Sequence, residues 1–214
     1  MMNFVIAGFL GVFMALNCYA DSTNSALPEH VVKVTKENNA KCVEYLTYKG
    51  ESYCSLVPLP GNAVAPVILT YDQQNIHFDD RAWKPAWGQK TNAGWTVEYI
   101  PVGDNINQWK ELVTSQFISG LEGVTPAQFK KTFVDNLKKT GVTYSINTIA
   151  EQPDQLIFEF KVTVPVNLQQ DEIQKITRGK GGIYVLHYAI KKSNMSKANR
   201  LKWIENLKKS SIKD

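Results

Sequence analysis

Apolar and polar residues alternate strictly over residues 95–99, with Trp95, Val97 and Tyr99 separated by Thr96 and Glu98. A period of two sends these sets to opposite faces of a strand. Pro101 and Gly103 end the run, because a proline cannot donate to a strand ladder and a glycine permits a sharp bend. Beyond them the period changes. Ile106, Trp109, Leu112, Val113 and Phe117 fall on one arc at about 100° per residue, which predicts a helix capped by Asp104 or Asn105 and stopped by Gly120. A second helix is expected over "TPAQFKKTFVDNLKKTG". It has Thr125 as N-cap, Pro126 at the first helical position, Gln128 for a capping box and Gly141 past the end.

Strands follow. "TYSINTIA" and "QLIFEFKVTVPV" flank the polar turn "EQPD". In the second strand Leu156, Phe158, Phe160, Val162 and Val164 alternate with Ile157, Glu159, Lys161 and Thr163, predicting one core face and one mostly wet face. "EIQKIT" and "GIYVLHYAIK" flank "RGKG" as a hairpin. A last helix starts near Ser196, with Trp203, Ile204 and Leu207 inward. From Gly94 the expected order is strand, helix, helix, four strands, helix. Hairpin-linked strands pair antiparallel, and helices gathered before and after them predict an α+β fold in which an antiparallel sheet is packed with helices.

The part before Gly94 is less regular. "VVKVT" is a short strand, and "CVEYLTY" and "SYCSLV" form a hairpin with Gly50 in its turn. "PLPGNAVAP" lacks periodicity and is a connector. "VILTY" and "IHF" suggest a second hairpin, and "DDRAWKPAWGQKTNAG" is expected to be an irregular loop because Pro85 interrupts it. The expected organisation is an apolar leader over residues 1–20, a β-rich segment with loops over 21–93, and the α+β domain over 94–214.

The leader changes the picture of compartment. Residues 4–16 are uncharged and too short to span a bilayer comfortably, and "CYA" before polar "DSTNS" has the small-residue spacing of a signal-peptidase site. Cleavage after Ala20 would start the mature chain at Asp21, in the periplasm or the medium. A retained anchor and a lipoprotein processed at Cys18 are the alternatives. The mature chain then keeps Cys42 and Cys54, an even pair that predicts one disulfide in an oxidising compartment, with two free thiols as the other possibility.

Charge is unevenly spread. The chain has a net charge of +4, while residues 191–214 hold eight basic residues against Glu205 and Asp214, a local +6, so the remainder sums to −2. Lys197, Arg200, Lys202, Lys208 and Lys209 form a candidate basic patch for anionic lipid, polysaccharide or other polyanion. The solvated face of a final helix explains the same residues. An exported chain rarely meets nucleic acid, and no nucleic-acid partner is expected. Membrane contact is expected to be peripheral at most.

Tyr99, Pro101, Gly103, Trp109, Thr114 and Gln116 together resemble a motif of a group of uncharacterised exported bacterial proteins. In that group a strand ending Tyr-x-Pro steps through Gly and Trp into a helix that carries Thr-x-Gln. Tyr184, Tyr188 and Trp203 extend the similarity to a tyrosine-rich strand and a tryptophan in the terminal helix. The group looks like the PsbP-type α/β/α sandwich, and the resemblance covers about residues 94–207. It implies a PsbP-like domain with a β-rich N-terminal addition and brings no catalytic residues. Members of the group often carry an extra cysteine pair in the central strands, which this chain lacks.

The chemistry-bearing residues form no familiar constellation. His30, His77 and His187 show no paired spacing on a helix face, and neither Cys-x-x-Cys nor His-Glu-x-x-His occurs. No metal, cofactor or catalytic residue is therefore expected. His77 beside Asp79 and Asp80 is a surface-metal alternative to a polar turn. His187 lies in a strand, on the face opposite Leu186 and Tyr188. "RGKGG" could hold a phosphate but does not open a helix as a P-loop does. Ser210 and Lys213 are the sole Ser-x-x-Lys pair, and Asp171 and Glu172 adjoin without converging by sequence. Gln116 falls in the middle of the predicted apolar arc, where a buried amide needs partners. It either satisfies a nearby backbone group or lines a small pocket with Tyr99 and Trp109. The leading expectation is an exported, non-enzymatic accessory or binding protein of unknown partner. The alternatives are a secreted hydrolase acting on an envelope or host polymer, and a membrane-surface or polyanion binder using the basic terminal helix.

Overall fold

A computed structural model describes residues 27–35, 41–60 and 64–213. The apolar leader and the processing positions Cys18 and Ala20 lie outside the described residues.

In chain order the elements are β1 (Val31–Lys33), β2 (Glu44–Tyr48), β3 (Glu51–Ser55), β4 (Gln74–Asn75), β5 (Trp83–Thr91), β6 (Gly94–Pro101) and β7 (Glu111–Ser119). They continue with α1 (Pro126–Lys139), β8 (Thr143–Gln152), β9 (Gln155–Val164), β10 (Gln170–Gly179), β11 (Gly182–Ile190), α2 (Lys197–Lys209) and β12 (Ser211–Ile212). Short 3₁₀ turns occupy Pro66–Thr70, Ile106–Gln108 and Val166–Leu168. Ten strands form one antiparallel sheet in the order β1-β3-β2-β5-β6-β7-β11-β10-β9-β8, and β12 pairs with β4.

This overturns the expected α+β, PsbP-like layout. The chain is β-rich, with two α-helices among the described residues. The decisive difference is β7. The segment expected to be a helix is a nine-residue strand between β6 and β11. Asn105 does act as a cap, its Oδ1 accepting from Asn107 N at 2.9 Å, but it caps a single 3₁₀ turn. The helical arc arose because β7 is covered on both faces: Leu112, Val113, Thr114 and Ser115 are all buried, so apolar residues occur without a period of two. Val113, Thr114 and Ile118 are β-branched and suit a pleated strand.

Two further segments differ. Residues 83–91, expected to loop, form β5, and Pro85 is accommodated where the register to β6 shifts between Pro85 and Trp87. Val67–Thr70, expected as a strand, is 3₁₀. The mostly wet face expected for β9 is partly covered, since Ile157 and Glu159 are buried like Phe158 on the other face, while Lys161 and Thr163 are half-buried.

Other expectations hold. The β2–β3 hairpin turns at Lys49–Gly50, both with positive φ. It carries the Cys42–Cys54 disulfide. The α1 capping box forms as predicted, with Thr125 Oγ1 accepting from Gln128 N and Gln128 Oε1 from Thr125 N. Ser196 caps α2. The "RGKGG" segment is the β10–β11 turn. Gly182 begins β11 where β7 passes so close that a Cβ would lie 2.0 Å from the Ile118 carbonyl oxygen, so no larger residue fits.

Alternation gives the sheet two sides. On one, Trp95, Val97, Tyr99, Val113, Ile173, Tyr184, Leu186 and Tyr188 pack with Trp203 and Leu207 of α2. Trp203 stacks on Tyr188 with ring centroids 4.0 Å apart and meets Trp83 edge-on at 5.5 Å. On the other, Phe129 and Phe133 of α1 pack on Leu156, Phe158, Phe160, Ile176, Ile183 and Val185. The cover from α1 is centred on β8–β11 and leaves the middle of that side to other residues.

Candidate functional site

The α2 side is closed by three polar clasps. Asp72 is buried, and its carboxylate accepts hydrogen bonds from Tyr99 Oη (2.6 Å), Ser115 Oγ (2.7 Å) and Gln74 N (2.9 Å). Burial pushes its pKa up, and those hydrogen bonds oppose the rise. Lys213 Nζ reaches the Asp72 carbonyl at 2.9 Å, tying the end of the chain to the same point.

The second clasp centres on Asp79. It accepts from Trp83 Nε1 (2.9 Å), Arg81 Nε (3.0 Å) and Lys202 Nζ (2.8 Å), so it binds α2 to the entry of β5. Burial opposes its ionisation, but the hydrogen bonds from Arg81, Lys202 and Trp83 outweigh it and hold its pKa at about 2. Arg81 continues to Glu111 at 2.5 Å, and Glu111 accepts from Tyr188 Oη at 2.7 Å. Burial and then the Glu111 charge push the Tyr188 phenol well above its ordinary value.

The third clasp joins Arg200 to Glu159 (2.6 Å) and Asp171 (3.1 Å), with Lys161 3.3 Å from Asp171. Burial raises the Glu159 pKa. Arg200 lowers it, and neighbouring Asp171 raises it further.

The other side of the sheet carries a polar strip where α1 does not reach. Strand register places Trp87 across from Glu98, Glu98 across from Thr114, Thr114 across from His187 and His187 across from Gln174. Directly opposed residues on antiparallel strands have Cβ atoms about 4.5–5.5 Å apart. The adjacent row runs Gln89, Thr96, Gln116, Val185. Thr96, Glu98 and Gln116 are half-buried, and Trp87 is exposed at 42%. His187 Nδ1 lies 2.7 Å from Glu172 Oε1, which also accepts from Gln174 Nε2 at 2.6 Å. That contact orients the imidazole. Burial raises the Glu98 pKa, and the His187 charge opposes the rise. Among the described residues no hydrogen bond is recorded to the Glu98 carboxylate.

The structure does not bring Tyr99, Trp109 and Gln116 together. Tyr99 points to the α2 side and holds Asp72, while Gln116 lies on the opposite side and donates to Thr96 Oγ1 at 3.2 Å. Trp109 packs half-buried beside Ala86, Ile100 and Leu112, with Lys191 Nζ 5.7 Å from its ring centroid. Of the basic residues, Arg200 and Lys202 serve the clasps and Lys208 pairs with Glu205 at 2.8 Å, while Lys197 and Lys209 are exposed on α2. The His77 amide donates to Ser210 Oγ, and neighbouring Asp79 is taken by the second clasp. Among the described residues no group of His, Cys, Asp or Glu is placed to hold a metal ion, and no helix is long and apolar enough to cross a membrane. A shallow depression at the start of α1, lined by Thr125, Glu151, Gln152, Pro153 and Arg178, is open to solvent.

The residues of the strip were visible singly in the sequence. Glu98 and Thr96 are the polar half of a clear alternation, and His187 opposes Leu186 and Tyr188. The neighbour relation is not legible there, because Pro85 makes the Trp87 segment read as a loop and the apolar arc makes the Gln116 segment read as a helix.

The sequence model of an uncharacterised bacterial family matches residues 72–214, and the chain belongs to that family. The matched span begins at Asp72 of the first clasp and takes in the whole polar strip. No curated protein matches the chain.

Proposed function

We propose that this member of an uncharacterised bacterial family is an exported, non-enzymatic accessory or binding protein that meets its partner with the polar strip. The observation that carries this reading is the asymmetry of the sheet. One side is closed by α2 and three hydrogen-bonded clasps, while the other leaves Thr96, Glu98 and Gln116 half-exposed beside an exposed tryptophan. Such a surface combines apolar contact area with hydrogen-bonding capacity, as recognition surfaces do. The apolar leader and the Cys42–Cys54 bridge support export, since a disulfide persists in an oxidising compartment. The resemblance to PsbP-type proteins rests on Tyr99, Pro101, Gly103, Trp109, Thr114 and Gln116 with Tyr184, Tyr188 and Trp203, and its Thr-x-Gln lies on strand β7 rather than on a helix.

Affinity capture from the native envelope and culture medium tests the reading. Wild-type protein retains a specific partner, and folded Gln116→Arg, which places a long cation on the strip, loses it. Equal capture by both proteins, or none by either, overturns it. A secreted hydrolase is the second reading, favoured by the Glu172–His187 contact with Glu98 beyond it. It requires turnover of an envelope polymer that Glu98→Gln abolishes.

A further inference from the structure

We propose that Trp87 and Glu98, backed by His187 and Glu172, form a subsite for a cationic hydrogen-bond donor, an ammonium or guanidinium group. The inference rests on the reading of the chain as a binding protein and assigns the chemistry recognised at one point of the strip.

Three independent observations converge. The first is the count of donors and acceptors. Glu98 offers two carboxylate oxygens to which no hydrogen bond is recorded among the described residues. Three strands along the same row, Gln174 is fully buried and donates to Glu172, and its Oε1 has no hydrogen-bond partner among the described residues. The Glu98 carboxylate is therefore the position short of donors, and an incoming group that only donates is its complement.

The second is charge. Glu172 lies 2.7 Å from His187, so even a protonated imidazole is neutralised by that carboxylate. Glu98 is then left as a net negative charge. With a neutral imidazole the cluster carries two. The nearest buried cation on this side, Lys84 opposite Ile100, is paired with Glu44 at 3.0 Å.

The third is the aromatic wall. Trp87 is opposed to Glu98 in register and is exposed at 42%, unlike buried Trp83, Trp95 and Trp203. An indole face beside a carboxylate holds a cation by its quadrupole within about 6 Å of the ring while the carboxylate takes the hydrogen bonds. Neither group is fully buried: Trp87 leaves 42% of its surface exposed, and Glu98 is half-buried.

The test titrates the mature protein with ethylguanidinium and butylammonium, followed by the Trp87 indole and Glu98 amide resonances in ¹H–¹⁵N spectra. Both cations shift these signals saturably. Glu98→Gln, which preserves shape and removes charge, weakens binding about tenfold, roughly the cost of one charge-assisted contact. Trp87→Ala weakens it several-fold. A blocked Gly-Arg-Gly peptide bound more tightly than ethylguanidinium identifies a polypeptide side chain as the source of the cation, and the reverse order identifies a small solute. Equal binding of uncharged 1-butanol, unchanged affinity in Glu98→Gln, or shifts confined to other residues overturns the proposal. If the cations fail while Gln116→Arg still abolishes partner capture, the subsite falls and the binding face stands.

Discussion

Replacing Asp79 with asparagine should destabilise the protein by about 2 kcal/mol at neutral pH, and the penalty should vanish in acid. Its carboxylate is 2% exposed, and three donors hold its pKa at about 2 against an ordinary aspartate value of 3.8. That difference corresponds to about 2 kcal/mol of charge-dependent stability. Because the folded-state pKa is depressed, this contribution is complete above pH 3.8 and is lost as pH falls through 2. Asparagine keeps an oxygen for the Trp83 indole, so Asp79→Asn isolates the charge. Asp79→Ala also strands that buried N–H and should cost a further 1–3 kcal/mol, an order-of-magnitude figure for an unsatisfied donor. Urea unfolding of wild type and both variants between pH 7 and pH 2 measures these gaps, and taking differences cancels carboxylates common to all three proteins. A wild-type-to-asparagine gap that is constant across this range, or absent at pH 7, would refute the role assigned to the charge.

Glu44→Ala should cost about 3–5 kcal/mol by chemical denaturation, because it removes the buried carboxylate 3.0 Å from the Lys84 ammonium, whose side chain is 0% exposed. Glu44→Leu with Lys84→Met should recover most of that loss. Thr125→Ala removes the N-cap of α1 and should lower stability by about 1 kcal/mol, while Thr125→Ser should be nearly neutral. Replacing both Cys42 and Cys54 with serine should cost about 2–3 kcal/mol for a loop this short, with the loss read from the urea midpoint.

Local chemistry was legible wherever a signal was self-contained. The Thr125–Gln128 box, the Gly50 turn and the β10–β11 hairpin each depend on residues within a few positions of one another. The β7 segment failed for the opposite reason. Its conformation is set by β6 and β11, and a strand buried on both faces shows no alternation of its own. Pro85 masked β5 because a proline at a register shift looks, in sequence, like a proline in a loop. The candidate site followed the same division. Glu98 and His187 had the right types and faces, but their adjacency through Thr114 required the pairing of β6, β7 and β11.

That pairing also has a consequence for how the chain reaches its native state. The nine residues of β11 are all buried, and the strand docks between β10 and β7 with Ser119 set against Gly182. Its contact with β10 is local, whereas its contact with β7 spans α1 and the β8–β9 hairpin. Loop-closure entropy therefore opposes the central seam of the sheet until the β8–β11 meander exists as a unit. A chain emerging from its N-terminus presents β7 as an exposed, β-branched edge for the whole interval before β11 arrives. The hazard of misassociation is thus concentrated in time at one strand, which is where a folding helper would have most to shield.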